Sequence, residues 1–555
     1  MRFALKLFIL STLISCSFNK PSKNTFSSNY MIASQGPFAT KAGMEMFEKG
    51  GNVFDAFAAV SFTISVERPQ STGLGGGGFL TYYKKEMNRP SSIDFREQAP
   101  LRASPKMFQD KKGSVIPGKS LNGVFSSGVP GMVAGVLEVH RRFGKLPLKT
   151  ILAPAIKLAS EGFPIYPELS RALNKKSKIL EQFPATKKIF FKNGKPLSQG
   201  DILQQKDLAK TLRLIALHGK KGFYEGPVAQ AIASEMKKQK GLIGKQDLLQ
   251  YEVKERDVVA GTYRGLTIYS MGPPSSGGIH IIQILNMLED DLPKMKWSDP
   301  QRIHLIANAM QFAFIDRAAY LGDSDFVKVP VRGLLSKKYA KDLRKKIQSH
   351  ILPAEDIKEG KPFLYESEET THFSIMDREG NTVSSTQTIN GLFGSGMVIP
   401  GTGIILNNEM DDFTAKIGAQ NLFGAVGGKN NAITPKKRPL SSMSPTIVFK
   451  DKRPILALGA SGGTRILTCV AQIILNFIEY DMTLDQAMAA PRIHQQWKPH
   501  LLEMEEYADA KEELIKRGHV VKKQKSRCKA QAIARFTDKL HGVSDPRYEG
   551  MSLGK

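Results

Sequence analysis

Cysteine is scarce in this sequence, and apolar runs long enough to span a membrane are missing. Only three cysteines occur among 555 residues, which excludes a small scaffold built on disulfide bonds. No segment after the N-terminus offers the roughly 18 consecutive apolar residues that a membrane-spanning helix requires. The zinc-hydrolase sequence His-Glu-x-x-His does not occur either. We therefore expect a globular protein behind an N-terminal leader, with neither a metal nor a cofactor.

The chain is long and strongly basic. A length of 555 residues exceeds the roughly 250–300 at which a single core stops growing, which predicts several units or one large layered fold. The formal net charge is +27, but lysine and arginine are spread along the chain rather than gathered in one arm or helix. This distribution argues against nucleic-acid binding and favours a solvated basic surface.

The N-terminus has the pattern of an export signal. Arg2 and Lys6 precede the apolar stretch LFILSTLIS, which suits the core of a secretory signal peptide spanning residues 1–15. The sequence Leu-Ile-Ser-Cys that ends at Cys16 is typical of a bacterial lipoprotein, although a chance cysteine after an ordinary signal peptide is the alternative. We expect an acylated Cys16, a polar tether over residues 16–28, and an exported protein, periplasmic or at the cell surface, anchored to the membrane by lipid.

Cys469 and Cys528 are the two cysteines outside the leader. Cys469 shares one face of a helical run with Ile466, Ile473 and Phe477. A cysteine in such a position usually packs as a small hydrophobic side chain. We therefore expect Cys469 to be a buried structural thiol.

Helical and strand patterns both occur along the chain. The apolar spacing predicts helices at 41–49, 53–63 and over much of 130–350, with one strand at GFLTYYKK. After residue 370 strand patterns become frequent, namely HFSIM, TVSSTQTI, GIILNN, TIVFK and PILALG. The sequence therefore predicts a mixed fold of helix and sheet layers.

Two glycine-rich motifs need an interpretation. Residues 73–78 match the dinucleotide-binding fingerprint, but no strand precedes them and a strand follows, so close approach of another backbone segment is the favoured interpretation. Residues 459–463 match a nucleophile elbow around Ser461, between a strand and a helix, with Asp481 and His494 further along the chain. A serine hydrolase that uses Ser461 is therefore one candidate.

A hairpin surrounds a pair of threonines. If residues 377–381 form its loop, paired residues sum to 758, and Thr370 lies opposite Thr388. Alternation then places polar side chains on one face and apolar side chains on the other. The polar face would carry Thr370, His372, Ser374, Ser384, Thr386, Thr388 and Asn390, and the apolar face Phe373, Ile375, Val383 and Ile389. This segregation indicates a candidate nucleophile, although threonine is also simply a good strand former.

Several longer motifs resemble one family in order. ETTHFSIMDREGNTVSSTQTIN, GIILNNEMDDFTAK, KRPLSSMSPTIV and GASGGTRILT, together with SIDFREQAP, PPSSGG and VSDPR, are similar to the motifs of the γ-glutamyltranspeptidase family. This resemblance covers nearly the whole chain from about residue 29. It implies an α+β fold, a four-layer αββα sandwich of the N-terminal-nucleophile hydrolase type, made as a precursor that cuts itself.

The resemblance also implies a reaction. The Glu369–Thr370 bond would be broken autocatalytically, giving a large subunit, 29–369, and a small subunit, 370–555, that stay together as a heterodimer. Thr370 would attack the γ-glutamyl amide of a compound such as glutathione, with its own α-amine as base and Thr388 orienting it. Water or an amino acid or peptide acceptor would then take the γ-glutamyl group.

The remaining site residues follow from the same resemblance. Arg96 would grip the α-carboxylate of the glutamyl group with both arms of its guanidinium. The other expected contacts are Ser441 and Ser442 to that carboxylate, Asn390, Glu409 and Asp412 to the α-ammonium, and Gly462 and Gly463 as oxyanion donors. Phe423, where many relatives have tyrosine, would lie in a lid over the pocket at 421–439.

Three departures from the family pattern occur, but activity is still expected because none of them touches the nucleophile. The stretch at 522–530 is more basic than the Met-Gly-containing segment usual in the family, Phe423 lacks the tyrosine hydroxyl, and Glu409 replaces a glutamine found in some members. The principal interpretation is a γ-glutamyltransferase and glutathione hydrolase. The alternatives are a related amidase acting on poly-γ-glutamate or an acylated drug, and, less favoured, the serine hydrolase that uses Ser461.

Overall fold

The computed structural model describes residues 23–362 and 374–555. Two seven-stranded sheets face each other, and helices cover the outer face of each sheet. The four-layer αββα arrangement predicted above is confirmed. In the described part of the chain, no helix combines the length and the apolar character needed to cross a bilayer.

The strands are short and mostly antiparallel. Their bounds are β1 (Asn24–Ser27), β2 (Tyr30–Ser34), β3 (Gly77–Lys84), β4 (Arg89–Asp94), β5 (Phe163–Pro164), β6 (Phe191–Lys192), β7 (Lys195–Pro196), β8 (Ile202–Leu203), β9 (Lys254–Arg256), β10 (Val259–Tyr263), β11 (Leu266–Ser270), β12 (Ser374–Asp377), β13 (Thr382–Thr388), β14 (Thr446–Lys450), β15 (Arg453–Ser461), β16 (Ile493–Gln495), β17 (Leu502–Met504), β18 (Val521–Lys523), β19 (Lys529–Arg535), β20 (Leu540–Ser544) and β21 (Met551–Gly554). The first large sheet has the order β1-β20-β19-β15-β14-β11-β10, and the second has the order β21-β2-β12-β13-β3-β4-β9.

The helices fall into an early group and a later group along the chain. Their bounds are α1 (Pro37–Glu48), α2 (Val53–Glu67), α3 (Met132–Phe143), α4 (Leu148–Glu161), α5 (Pro167–Leu180), α6 (Pro184–Phe190), α7 (Lys206–His218), α8 (Lys221–Tyr224), α9 (Gly226–Lys238), α10 (Lys245–Leu249), α11 (Gly277–Leu288), α12 (Pro300–Tyr320), α13 (Val331–Leu335), α14 (Lys337–Arg344), α15 (Arg465–Glu479), α16 (Leu484–Ala489) and α17 (Ala508–Lys516). Helices α1 to α10 share a hydrophobic core with the second sheet, and α11 to α17 share one with the first.

Helix α2 shows why the outer helical layer forms. Every one of its residues is buried, because the helix is apolar on all sides and lies between the second sheet and other helices. Its start is fixed by a capping box, in which the Asn52 side chain accepts from the N–H of Asp55 and the Asp55 carboxylate accepts from the N–H of Asn52.

The hairpin register agrees with the prediction. Ser374 lies opposite Ser384, Ile375 opposite Val383, and Met376 opposite Thr382, so each pair sums to 758. The Asp377 carboxylate closes the loop by accepting from the N–H groups of Gly380 and Asn381 at 2.9 Å each. Thr370, His372 and Phe373 lie outside the described residues.

The two faces of this hairpin differ as expected, but neither is exposed to solvent. Ile375, Val383 and Ile389 belong to the core between the second sheet and its helices. On the other face, the Ser384 hydroxyl reaches the carbonyl oxygens of Thr446 and Leu458 in the first sheet, at 3.4 and 3.5 Å. On this face, a polar side chain therefore meets backbone carbonyl groups of central strands in the opposing sheet.

Two elements differ from the sequence prediction. Residues 403–408, GIILNN, form no strand but only isolated bridges from Ile405 to Val398 and from Leu406 to Gly75. Residues 24–27, within the expected tether, form strand β1 at the edge of the first sheet, paired with β20. The folded part of the chain therefore begins before residue 29.

The expectation of a buried structural thiol at Cys469 is wrong. Cys469 in helix α15 and Cys528, just before β19, form a disulfide bond across 59 residues of sequence. Both residues are buried, as the apolar pattern indicated, but burial alone does not reveal a partner so distant in the chain. The bond ties the start of a helix to the start of a strand in the first sheet.

Candidate active site

One cavity of about 540 Å³ opens between the ends of the two sheets. Ten of the predicted site residues line it, although they come from six separate motifs. They are Arg96, Thr388, Asn390, Glu409, Asp412, Phe423, Ser441, Ser442, Gly462 and Gly463. The folded chain therefore brings these residues into one place.

Gly462 and Gly463 form the turn between strand β15 and helix α15. Their φ angles are +148° and +63°, which residues with a Cβ rarely adopt. A Cβ on Gly463 would lie 2.3 Å from the ring of Phe423, and one on Gly462 would lie 2.8 Å from the carbonyl oxygen of Arg527. The turn places backbone N–H groups ahead of the first turn of a helix, where a developing negative charge is stabilised.

Thr388 ends strand β13 and lies beside Asn390. The Thr388 hydroxyl oxygen accepts from the N–H of Asn390 at 2.7 Å, and the side-chain amide of Asn390 donates to the carbonyl of Asn408 at 2.9 Å. Gly76 lies beneath this turn, where a Cβ would come within 2.0 Å of the Thr388 carbonyl oxygen. The glycine-rich segment 73–78 thus serves close backbone approach.

Arg96 carries the positive charge at the deepest part of the cavity. It is only 1% exposed, and its guanidinium contacts one oxygen of Glu409 and, at 2.6 Å, Oδ2 of Asp412. Its Nε donates to the carbonyl of Pro439 at 3.2 Å. The two arms expected to grip a carboxylate therefore point at acidic residues of the protein itself, which neutralise a buried cation.

Glu97 stands behind this ion pair and was not predicted from the sequence. Its side chain is fully buried, with one carboxyl oxygen 3.8 Å from Nη1 of Arg96. Burial raises the pKa of Glu97 to about 7, and burial also raises the pKa of Glu409 well above its usual value. Two such carboxyl groups beside one guanidinium hold a proton more readily than free glutamates. The only sequence signal for Glu97 as a site residue was its position next to Arg96.

Ser441 and Ser442 lie against the segment 273–278. The Ser276 hydroxyl donates to the Ser441 carbonyl at 2.9 Å, and the N–H of Met443 donates to the Ser441 hydroxyl oxygen at 3.2 Å. Arg317 of helix α12 also lines the cavity and donates to the Ser276 hydroxyl at 3.1 Å. Burial lowers the pKa of Arg317 to about 10. No sequence motif pointed to Arg317, because it lies inside an otherwise ordinary helix.

The segment around Phe423 is fixed to the acidic turn at 409–412. Asn421 donates to Asp412 and the N–H of Leu422 donates to Asp411, both at 2.8 Å. The Ser120 hydroxyl also donates to Asp411, at 2.6 Å, and burial raises the pKa of Asp411 to about 6. The ring of Phe423 rests on Gly463, and the lid role of Phe423 stays a prediction. Its distance from Thr370 stays untested, because Thr370 lies outside the described residues.

A family comparison now bears on this cavity. The model of the family described as Gamma-glutamyltranspeptidase matches residues 39–554. The chain belongs to the γ-glutamyltranspeptidase family. The fold and the expectation of an enzyme are confirmed by this membership and by the relatives that follow.

The relatives are similar over most of their length. A glutathione hydrolase proenzyme from Escherichia coli (strain K12) is 44% identical over 523 residues, covering 93% of this chain and 90% of that protein. The crystal structure of Helicobacter pylori γ-glutamyltranspeptidase is 42% identical with a TM-score of 0.60, covering 62% of this chain and 99% of that chain. A cephalosporin acylase from Bacillus halodurans has a TM-score of 0.85 at 26% identity, covering 99% of both chains.

The geometry around Ser461 does not support the serine-hydrolase alternative. Ser461 is the last residue of the expected strand and precedes the expected helix, but its hydroxyl accepts from the side-chain amide of Gln35 at 2.7 Å. His494 is buried and shares a hydrogen bond with Thr468 at 2.9 Å. Among the hydrogen bonds of the described residues, none joins Ser461 to His494 or His494 to Asp481.

A second nucleotide motif also turns out to be incidental. Residues 113–120, GSVIPGKS, match the letters of a phosphate-binding loop. In the described structure no strand leads into this loop, and the next α-helix begins only at Met132. The loop instead supplies Ser120 to the support of Asp411.

Proposed function

We propose that this protein is a self-processing γ-glutamyltransferase and glutathione hydrolase. The observation that carries the proposal is the convergence of ten residues, drawn from separate motifs, on one cavity. Membership of the γ-glutamyltranspeptidase family supports the reaction type. The description of the Escherichia coli relative as a proenzyme supports maturation by cleavage, which we assign to the Glu369–Thr370 bond.

In this proposal Thr370 becomes the N-terminal residue of the small subunit and the nucleophile. Its α-amine takes the proton of its hydroxyl, and the hydroxyl oxygen attacks the γ-carbonyl carbon of the donor. The amine half of the donor leaves with a proton, and the γ-glutamyl group stays as an ester on Thr370. Water or the amine of an amino acid or peptide then resolves the ester.

Thr388 is suited to orient Thr370. In the observed register the numbers of paired residues sum to 758. Extending that register to Thr370 would put it opposite Thr388. Because the Thr388 hydroxyl oxygen already accepts from the N–H of Asn390, its own proton remains available for donation to Thr370. The N–H groups of Gly462 and Gly463 would stabilise the oxyanion that forms during attack, an interaction worth about 3–4 kcal/mol in other enzymes.

The deep part of the cavity suits a zwitterionic glutamyl group. We call the six residues Arg96, Asn390, Glu409, Asp412, Ser441 and Ser442 the glutamyl end. A bound α-carboxylate would take one side of the Arg96 guanidinium with the serine hydroxyls, while the α-ammonium would lie against Glu409, Asp412 and the free carbonyl oxygen of the Asn390 side chain. The ligand would thus replace a contact within the protein by contacts of the same charge type.

The cephalosporin acylase match supports a second candidate, hydrolysis of an acylated drug. A glutaryl amide lacks the α-ammonium and separates the two candidates. The proposed function requires γ-glutamyl donors to be hydrolysed much faster than the matching glutaryl amide, because the glutaryl group has no ammonium to contact Glu409 and Asp412. Faster glutaryl hydrolysis would favour the acylase.

We further propose export and lipid anchoring through Cys16. The disulfide between Cys469 and Cys528 supports an oxidising compartment outside the cytoplasm. Labelling cells with a radioactive fatty acid should mark the protein, and Cys16→Ala should abolish the label while leaving the amount of folded enzyme unchanged. Equal label in both forms would exclude Cys16 as the acceptor.

Intact-mass spectrometry tests the central proposal. The purified protein should consist of two chains, the second beginning at Thr370. Thr370→Ala should remain one chain and release no glutamate from glutathione, whereas Thr370→Ser should retain part of both steps because the hydroxyl and the amine persist. Normal cleavage of the alanine variant would exclude Thr370.

A further inference from the structure

The cavity is far more basic than a zwitterionic glutamyl group requires. Among the described residues that line it, eight are cationic and two are acidic. The cations are Arg68, Arg96, Lys175, Lys176, Arg317, Arg465, Arg527 and Lys529, and the acids are Glu409 and Asp412. A cleft lined by one sign of charge concentrates ligands of the opposite sign.

Part of this positive charge is neutralised within the protein. Arg68 and Lys529 both contact the carboxylate of Glu168, whose pKa the two cations hold at about 2 against the effect of burial. Arg465 pairs with Glu503 at 2.7 Å. These cations support the cavity wall rather than await a ligand.

Arg96 faces Glu409 and Asp412, and four other lining cations form no ion pair within the described chain. One of the four, Arg317, is buried and donates to the Ser276 hydroxyl, which leaves three at the mouth of the cavity.

Lys175 and Lys176 lie on helix α5, and Arg527 lies in the basic segment before β19. We call these three residues the cationic rim, because Lys175 and Arg527 are exposed and Lys176 is half-buried at the mouth of the cavity. Within the described chain, none of the three forms an ion pair. Burial and the neighbouring Lys175 lower the pKa of Lys176, as expected for cations held close together.

The rim lies on the side of the cavity where the departing half of a donor must extend. The carbonyl oxygen of Arg527 is packed against Gly462, one of the two proposed oxyanion glycines, so closely that a Cβ there would approach within 2.8 Å. In the proposed function the glutamyl side of the reacting carbonyl points toward Arg96, which is buried. The amine side would then extend toward the open rim.

We propose that the cationic rim binds a carboxylate carried by the non-glutamyl half of the donor. The preferred substrates are then γ-glutamyl peptides with a free carboxylate within about two residues, or about 7 Å, of the scissile amide. Uncharged γ-glutamyl amides are poorer donors. This inference rests on the proposed function and assigns the half of the substrate that the glutamyl end does not contact.

Glutathione and its C-terminal amide test the inference, because they differ only in that carboxylate. Wild-type enzyme should show a kcat/KM about tenfold higher for glutathione, as a few partly exposed charge contacts would give, with the preference shrinking as salt is added. The triple variant Lys175→Gln, Lys176→Gln, Arg527→Met should lose that tenfold advantage through KM. Its kcat/KM for the amide should stay within about twofold of wild type. Lys178→Gln, on the same helix but outside the cavity lining, is the matched control and should leave both donors unchanged.

Each alternative outcome is decisive. Equal rates for the two donors in the wild-type enzyme would overturn the inference, and so would equal loss for both donors in the triple variant. A wild-type enzyme that hydrolyses neither donor would instead overturn the proposed function, and the inference would fall with it. Normal self-cleavage before Thr370 in the triple variant would confirm that the substituted protein still folds.

Discussion

The glutamyl end and the cationic rim belong to one cavity but handle charge differently. At the glutamyl end the buried guanidinium of Arg96 faces two carboxylates, whereas the three rim cations face no carboxylate in the described chain. A site balanced within the protein accepts a ligand that carries both charges and rejects one that carries a single charge. A group of cations without carboxylate partners accepts any anion that is long enough to contact it. The difference explains how one cavity can fix a constant head group strictly and a variable leaving group loosely.

The two regions are also held in place differently, and removing the disulfide should have the largest effect. Cys528 directly follows Arg527 of the rim, and its bond to Cys469 closes a loop of 59 residues. Replacing both cysteines by alanine should cost about 2–4 kcal/mol of unfolding free energy. Denaturant unfolding without reductant measures this cost. KM should rise for glutathione and not for its amide, and an equal rise for both would show that the bond supports the glutamyl end too.

Arg96→Lys should weaken the glutamyl end for every donor. A single ammonium cannot reproduce two charge-assisted contacts, and losing one costs about 1.5–3 kcal/mol, or about 10- to 100-fold in kcat/KM. The loss should be the same for glutathione and its amide, in contrast to the rim variant. Arg89→Lys, at the exposed start of strand β4, is the control. Self-cleavage should survive, and an unchanged KM would mean that another residue holds the carboxylate.

Glu97→Gln should shift the pH dependence of donor binding. Burial raises the pKa of Glu97 to about 7 and that of Glu409 well above its usual range, so both carboxyl groups gain protons at a higher pH than free glutamates do. The donor ammonium needs a carboxylate, so KM should rise on the acid side. Removing the Glu97 carboxyl group removes repulsion on Glu409 and lowers the pKa of Glu409. The rise in KM on the acid side should therefore begin at a lower pH, and KM at pH 6 should be lower than in the wild-type enzyme. KM profiles from pH 5 to 8 decide the matter, and superimposable profiles would contradict it.

Phe423 should give the smallest effects, because its ring packs on Gly463 and forms no charged contact in either region. Phe423→Tyr adds a hydroxyl whose hydrogen bond across the pocket would be worth about 0.5–1.5 kcal/mol, so KM should fall about two- to tenfold. Phe423→Ala should expose the turn at Gly463 and raise KM by a similar factor for both donors. Steady-state kinetics with glutathione and its amide measure both changes. A rise confined to glutathione would place Phe423 with the rim.

Local signals predicted the hairpin well, because a turn of fixed length and alternation of side chains determine register together. The pairing of Ile375 with Val383 follows directly from residues 377–381 as the loop. The same kind of pattern predicted a strand at 403–408, and this prediction was wrong. There the chain forms only isolated bridges, one of them between Leu406 and Gly75. Alternation records which side chains are buried, but it does not record which neighbour is present to accept backbone hydrogen bonds.

Charge partners were much harder to predict than site membership. The motifs identified Arg96, Glu409 and Asp412, but not that they pair with one another or that Glu97 stands behind them. The bond between Cys469 and Cys528 was missed for the same reason. These are contacts between distant parts of the sequence, and a residue's type and periodicity carry no record of its distant partner.

The strand order has a consequence for a chain cut after residue 369. In the second sheet β2 lies between β21 and β12, and in the first sheet β1 lies beside β20, so strands from before and after that point alternate as neighbours. Neither piece contains a complete sheet or covers its own apolar layers. The cut would therefore create a new N-terminus, but the two pieces would stay together in one folded unit. The two pieces could separate only if both sheets came apart. We therefore expect the two pieces to unfold together, in a single cooperative transition at one temperature.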